Sequence, residues 1–370
     1  MLGIDGSIMS RDAVAATVTG GLIAVSDPEL LPLYLKRTGD IGGWLEGRAI
    51  DAHRTNSRLL KKALHLASAG DVDVVLKVNA ATITDTYWFR MDGASLKYEG
   101  VRFKENFFSE LALCGDPDSF NQPYSPTPEL TNIGSFEKCW RLIDGKWWMI
   151  KQGSDLERFS ELFVCRLGQA LGFPMANYLP ENGMIKSLDF TDGASVNYEA
   201  ADGIVGDNED YLSNFNALWN LSPELAGQYM QIIYLDTLCF NMDRHTKNYG
   251  VLRDVASGAI LRMAPNYDNN VALFARGIPH NLDRVNDKLI SMFSDLLGQD
   301  SRVLDIVCQF PAPTVEMLDG CMDQIAIPIE REAVCTFIMS GSDQIQKRIQ
   351  MQRGNTSLPP PVQSPTPAGG

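Results

Sequence analysis

The sequence predicts an α+β fold in which a β-rich segment leads into a mainly helical one. Three observations predict it. Two β-rich runs, Lys138–Leu142 and Trp147–Lys151, flank Asp144-Gly145 and read as a hairpin. Helical patterns then recur through residues 156–171, 222–240, 285–297, 314–325 and 330–350. The composition, 45% hydrophobic and 21% charged over 370 residues, is globular and suits one large or two modest domains.

In chain order, residues 1–120 read as an α/β region. Arg58–Ala67 has helical spacing, and Val74–Val78, Thr82–Met91 and Ser95–Phe103 are strand-like runs broken by Asp92-Gly93. Turn formers from Gly115 to Pro128 mark a boundary. Residues 121–200 then read loop, hairpin, helix. Ile133-Gly134-Ser135 leads into the hairpin, whose Trp147 and Trp148 lie on opposite faces of a strand. Ser154 can cap a helix that carries Phe159, Leu162, Phe163, Leu167 and Leu171 on one face and ends at Gly172.

Residues 201–350 form the helical segment. It opens with an acidic, turn-rich stretch, 201–210, that reads as an exposed loop. Ser222-Pro223-Glu224 starts a buried helix that ends at Asn241-Met242-Asp243. Val251–Arg253 and Ile260–Met263 read as two short strands around Ala256-Ser257-Gly258. Residues 351–370, rich in Pro, Ser, Thr and Gly, read as a disordered tail.

The net charge of −14, from 46 acidic and 32 basic residues, opposes non-specific binding to nucleic acid or anionic membranes, and no direct nucleic-acid or membrane contact is expected. Seven scattered cysteines and four histidines offer no zinc spacing, and most of the cysteines read as small buried hydrophobes in a reducing compartment. No basic region followed by an apolar run is visible at the N-terminus, and no stretch of membrane-spanning length occurs, so a cytoplasmic protein is expected.

Phosphoryl transfer from ATP needs a Lys on the phosphates, an acid that holds that Lys, an Asp near the attacking hydroxyl, and oxygen ligands for Mg²⁺. Each has a candidate in workable order. Lys151 ends an apolar strand, and Glu161 follows ten residues on in the next helix. Asp243 and Asn248 are five apart in a loop after a helix, the spacing of the protein-kinase catalytic loop. Asp268 follows the strand Ile260–Met263 and the turn Ala264-Pro265-Asn266-Tyr267.

Asp243-Arg-His-Thr-Lys-Asn248, followed by Pro265-Asn-Tyr-Asp268, resembles the signature of the HipA-like Ser/Thr kinases, an Asp-x-His-x-x-Asn loop and then Pro-x-Tyr-Asp. Thr131-Asn-Ile-Gly134-Ser-Phe-Glu-Lys138 resembles their phosphate loop, and the likeness covers roughly residues 130–350. The resemblance implies a two-lobed protein-kinase-like fold, with a small β-rich lobe, a mainly helical lobe and an extra N-terminal region. It implies a kinase that uses ATP and Mg²⁺ to phosphorylate a Ser/Thr hydroxyl of a protein. Asp243 would orient or deprotonate the acceptor, and Asn248 and Asp268 would hold Mg²⁺. Lys151, partnered by Glu161, would bind ATP phosphates with Gly134 and Ser135, and His245 would support the loop. Thr131 stands where this family can phosphorylate itself. Members often pair with a small antitoxin protein, through which any DNA contact would be indirect.

Plainer readings stand beside these. Lys151 could be a strand-end lysine reaching water, Glu157 competes with Glu161, and Gly134-Ser135 could be an ordinary turn. Phosphoinositide kinases also carry an Asp-Arg-His-x-x-Asn loop, so a lipid or small-molecule kinase is the second reading. A nucleotide-binding pseudokinase serving as an interaction module is the third.

Overall fold

The computed structural model describes residues 3–356. Strands β1 (Gly6–Ser10), β2 (Ala13–Thr19), β3 (Leu22–Val25) and β4 (Tyr87–Met91) form an antiparallel sheet in the order β3-β2-β1-β4. Alternation along β1 and β4 makes this sheet a partition. Ile8 and Phe89, paired across it, face a core with Trp44, Leu45 and Val75. Met9 and Trp88, the next pair, face a second core with Leu60, Phe108, Leu130, Trp140 and Trp147. That second core joins the first region to the hairpin.

A second antiparallel sheet contains β5 (Lys138–Ile143), β6 (Lys146–Lys151), β7 (Tyr178–Glu181) and β8 (Met184–Leu188), ordered β5-β6-β8-β7. Asp144 and Gly145 take φ of 51° and 75°, as a tight two-residue hairpin turn requires. The Asp155–Ala170 helix opens with a capping box between Ser154 and Glu157 and is followed by Gly172 at φ 77°. A third sheet, β9 (Val196–Ala200), β10 (Gly250–Asp254) and β11 (Ile260–Met263), has the order β11-β10-β9.

The helical body packs around Pro223–Cys239, which starts with Ser222 as N-cap and Pro223 in the first turn. It buries Tyr234, Leu235 and Leu238 against Phe163, Phe293, Leu304 and Ile338, drawn from the Asp155–Ala170, Lys288–Gln299, Ser301–Val307 and Arg331–Thr356 helices.

Several expectations are corrected. Val74–Val78 is not a strand: Asp71–Leu76 is a helix with Asp71 and Asp73 in its first turn and Val72, Val74 and Val75 buried, so packing outweighs β-branched propensity. Ser95–Phe103 contains a short helix, Tyr98–Val101, rather than a strand, and of Thr82–Met91 only Tyr87–Met91 pairs. The strands β1–β3 lie ahead of every strand expected from the sequence. Asp202–Val205 is helical inside the expected 201–210 loop. Val196–Ala200, for which the sequence offered no element, pairs with β10. The last helix continues to Thr356, so residues 351–356 are helical where tail was expected; the remainder of that tail lies outside the described residues.

Candidate active site

The loop 241–248 begins where the Pro223–Cys239 helix is stopped by Phe240 at φ 55°. Asn241 Oδ1 accepts the Asp243 N–H at 3.2 Å. The Asp243 carbonyl accepts from the His245 N–H at 3.1 Å and from Asn248 Nδ2 at 2.9 Å. This folding leaves the Asp243 side chain exposed at the surface of the loop. His245 is half-buried, and its Nδ1 accepts the Lys247 N–H at 3.2 Å, a bond that shapes the loop.

Arg244 holds the loop to its surroundings. Its guanidinium forms a two-pronged ion pair with buried Asp236, Nε at 2.8 Å and Nη2 at 2.9 Å. Nη1 donates to two carbonyls, Asn248 at 2.6 Å and Tyr267 at 2.8 Å. Nη2 also reaches the side-chain oxygens of Asn266 and Asn269, at 3.0 and 2.8 Å. One side chain therefore pins the segment ending in Asn248 to the segment around Asp268. Burial disfavours its charge, but Asp236 outweighs that and raises its pKa above the usual arginine value.

Asp268 sits at φ 62°, a left-handed conformation that costs energy in a non-glycine residue. Its neighbours enforce it: its N–H donates to Tyr178 Oη at 3.2 Å, and the Asn269 N–H donates to Glu161 Oε1 at 3.1 Å. Lys151 Nζ meets Asp268 Oδ1 at 2.8 Å and Glu161 Oε2 at 3.8 Å, with the Tyr178 ring 5.5 Å away. Burial would lower the Lys151 pKa, but Asp268 and then Glu161 outweigh it and hold the ammonium well above the usual lysine value. Burial likewise opposes the Asp268 charge, yet Lys151 and then Lys138 keep its carboxyl below the usual range. Glu157, the rival of Glu161, is spent on the helix cap, its Oε2 accepting the Ser154 N–H at 2.7 Å.

The candidate phosphate loop runs through Ile133–Phe136. Gly134 has φ 107°, and the Lys138 ammonium lies so close to its Cα that an added Cβ would sit 2.4 Å from Nζ. Ser135 is exposed. Thr131, expected as a self-phosphorylation position, is only 6% exposed, and its hydroxyl donates to the carbonyls of Ala81 and Pro128 at 2.7 and 3.2 Å.

Three residues of this cluster were not foreseen: Lys138, Tyr178 and, as the central fastener, Arg244. Only Lys138 carried a signal, because counting outward from the Asp144-Gly145 turn pairs it with Lys151, as the hairpin register does. Among the described residues Lys138 makes no ion pair, and burial depresses its ammonium to about 8.

Asn248 and Asp268 offer oxygen donors of the kind Mg²⁺ takes. Asn248 Oδ1 and Asp268 Oδ2 accept no hydrogen bond among the described residues, since Asn248 uses Nδ2 and Asp268 uses Oδ1 for their contacts. No group of three or more His, Cys, Asp or Glu among the described residues could hold a metal unaided. Two oxygen donors completed by phosphates and water are the form of site Mg²⁺ takes.

No protein-family model and no curated protein matches this sequence. Solved structures do match. HipA from Shewanella oneidensis MR-1, solved as a toxin–antitoxin complex with HipB and operator DNA, is 16% identical with a TM-score of 0.59, covering 94% of this chain and 97% of that one. A proinflammatory kinase from Helicobacter pylori, CtkA, is 18% identical with a TM-score of 0.50, covering 60% of this chain and 95% of that one. The chain therefore has the two-lobed fold of the HipA-like kinases, with the first region included in the HipA match.

Proposed function

We propose that this protein is an ATP- and Mg²⁺-dependent kinase that transfers phosphate to a Ser or Thr hydroxyl of a protein. The observation that carries the reading is the meeting of Lys151, Glu161 and Asp268 beside a loop that Arg244 ties to Asn248 and Tyr267. Lys151 exchanges its contact with Asp268 for phosphate oxygens when nucleotide enters, while Glu161 keeps the ammonium in place. Lys138 adds a second positive charge from the opposite strand, next to the Gly134-Ser135 loop. Asn248 Oδ1 and Asp268 would hold Mg²⁺, which would supply charge neutralisation for the phosphates. Asp243 orients the acceptor hydroxyl and takes its proton as the oxygen bonds to the γ-phosphorus and the bond to ADP breaks.

Arg244 accounts for itself without a lipid substrate. The residue that made phosphoinositide kinases a rival is buried and committed to Asp236 and the two loops. Self-phosphorylation at Thr131 would require its bonds to Ala81 and Pro128 to open first. The expected antitoxin-type partner is part of this proposal, supported by the solved HipA–HipB complex. That complex includes operator DNA, so DNA contact is possible in an assembly of this kind, against the expectation of no direct nucleic-acid contact. Among the described residues no helix is long and apolar enough to cross a membrane.

The test is transfer from γ-labelled ATP to the protein itself or to lysate proteins. The expected result is labelling that Asp243→Ala abolishes while ATP binding persists. Labelling unchanged in that variant would remove Asp243 from the mechanism.

A further inference from the structure

The first 120 residues have no assigned part in a kinase site, yet one of them reaches the phosphate loop. Arg54, at the N-terminus of the Thr55–Ala63 helix, is 1% exposed. Its Nη1 donates to the Asn132 carbonyl at 3.0 Å, and its Nη2 donates to the Lys138 carbonyl. These two carbonyls bracket Ile133–Glu137, so a single guanidinium closes the neck of the loop. Other first-region groups hold the same stretch. The Ile50 N–H donates to the Leu130 carbonyl at 3.0 Å, and the Asn56 N–H donates to Glu137 Oε1 at 3.1 Å. Between the anchors Ile133 and Ser135 are exposed, while Gly134 and Phe136 are half-buried.

The charges around Arg54 are uneven. Its nearest carboxylates, Glu129 and Glu137, lie at 4.0 Å, beyond hydrogen-bond reach. Glu129 is already engaged by Asn106, Asn132 and the Trp140 N–H, at 2.8, 2.8 and 2.6 Å. Arg54 Nε and Glu137 Oε2, facing each other at 4.0 Å, are buried and both lack a hydrogen-bond partner. A shift of about 1 Å would bring them to charge-assisted bonding distance. The clamp is charged, buried and not fully closed.

We propose that Arg54 is a positioning residue for the nucleotide phosphates. It sets where the N–H groups of residues 133–136 and the Lys138 ammonium stand, which makes the first region part of the nucleotide site. This rests on the kinase reading given above. A loop held at both ends loses less freedom when it closes on a ligand, so loosening the clamp weakens contacts to phosphate and leaves the base and ribose alone. Arg54→Lys is the informative variant, because an ammonium keeps the charge but lacks the planar fork that meets both carbonyls at once.

The experiment measures binding of ATP-Mg²⁺ and of adenosine to wild type, Arg54→Lys and Glu137→Gln, with hydrogen exchange of the 132–138 amides in the free proteins. In Arg54→Lys the ATP dissociation constant should rise roughly tenfold, adenosine binding should stay the same, and the loop amides should exchange faster while the rest of the chain keeps its protection. Glu137→Gln should do the same to a smaller extent, about threefold, and it decides the matter if the lysine variant does not fold. Unchanged ATP affinity in a folded variant, or equal losses for ATP and adenosine, would overturn the clamp and leave the kinase reading standing. Wild-type protein that binds no ATP-Mg²⁺ would overturn the kinase reading, and the clamp's role with it.

Discussion

Arg244 and Arg54 do related work at two edges of the same site, and they do it differently. Each is buried and each gathers two backbone carbonyls from separate positions. Arg244 is matched by Asp236 at 2.8 and 2.9 Å, and all three of its guanidinium nitrogens donate. Arg54 has carboxylates no closer than 4.0 Å and an Nε with no partner. The wall that carries Asp243, Asn248 and Asp268 is locked, whereas the rim that carries Gly134 and Ser135 is held at its ends and has slack. That division would suit the proposed phosphoryl transfer: reacting groups need fixed geometry, and a loop that admits nucleotide and releases product needs room to move.

Breaking the wall should have the larger consequences. Asp243→Ala should lower phosphoryl transfer by about 10²–10⁴-fold with ATP affinity nearly unchanged, read by a transfer assay alongside nucleotide titration. Arg244→Met strands Asp236 without its partner and frees both loops, so urea unfolding should show a loss of about 3–5 kcal/mol. A loss below about 1 kcal/mol would mean that the wall is not locked by this residue. Lys151→Met removes the proposed charged donor to the phosphates and should raise the ATP dissociation constant roughly 10- to 100-fold.

The rim should respond more mildly. Gly134→Ala puts a side chain at φ 107° and against the Lys138 ammonium, which that lysine can relieve by swinging away. The loop escapes the remaining strain by shifting, so ATP binding should weaken several-fold with little change in the thermal midpoint. An unaltered ATP affinity would detach this loop from the phosphates.

The contrast also explains what the sequence disclosed. Asp243, Asn248 and Asp268 sit in two short strings whose spacing suits the proposed chemistry, and Lys151 and Glu161 follow from a hairpin and a capped helix that local rules specify. Arg54 and Tyr178 gave no such sign, because their importance comes from packing against residues far away in the chain. Arg244 lies inside the motif, but nothing in its string reveals Asp236 eight residues upstream as its partner. The fold shows the same limit. The helical body was legible from long apolar or amphipathic runs with cap residues, whereas Val74–Val78 was misread because a short apolar run has no period that distinguishes strand from buried helix. The short strands β1–β3 were missed, since their partition of two cores depends on neighbours from β4 and beyond.

The central claim is that Asp268, with Lys151 and Asn248, forms a Mg²⁺-nucleotide site, and one calorimetric titration tests it directly. ATP is titrated into wild type and Asp268→Asn, each with and without Mg²⁺. Mg²⁺ should strengthen wild-type binding, and the variant should lose that gain while staying folded. Binding that ignores Mg²⁺ in wild type, or an equal Mg²⁺ gain in Asp268→Asn, would contradict the claim.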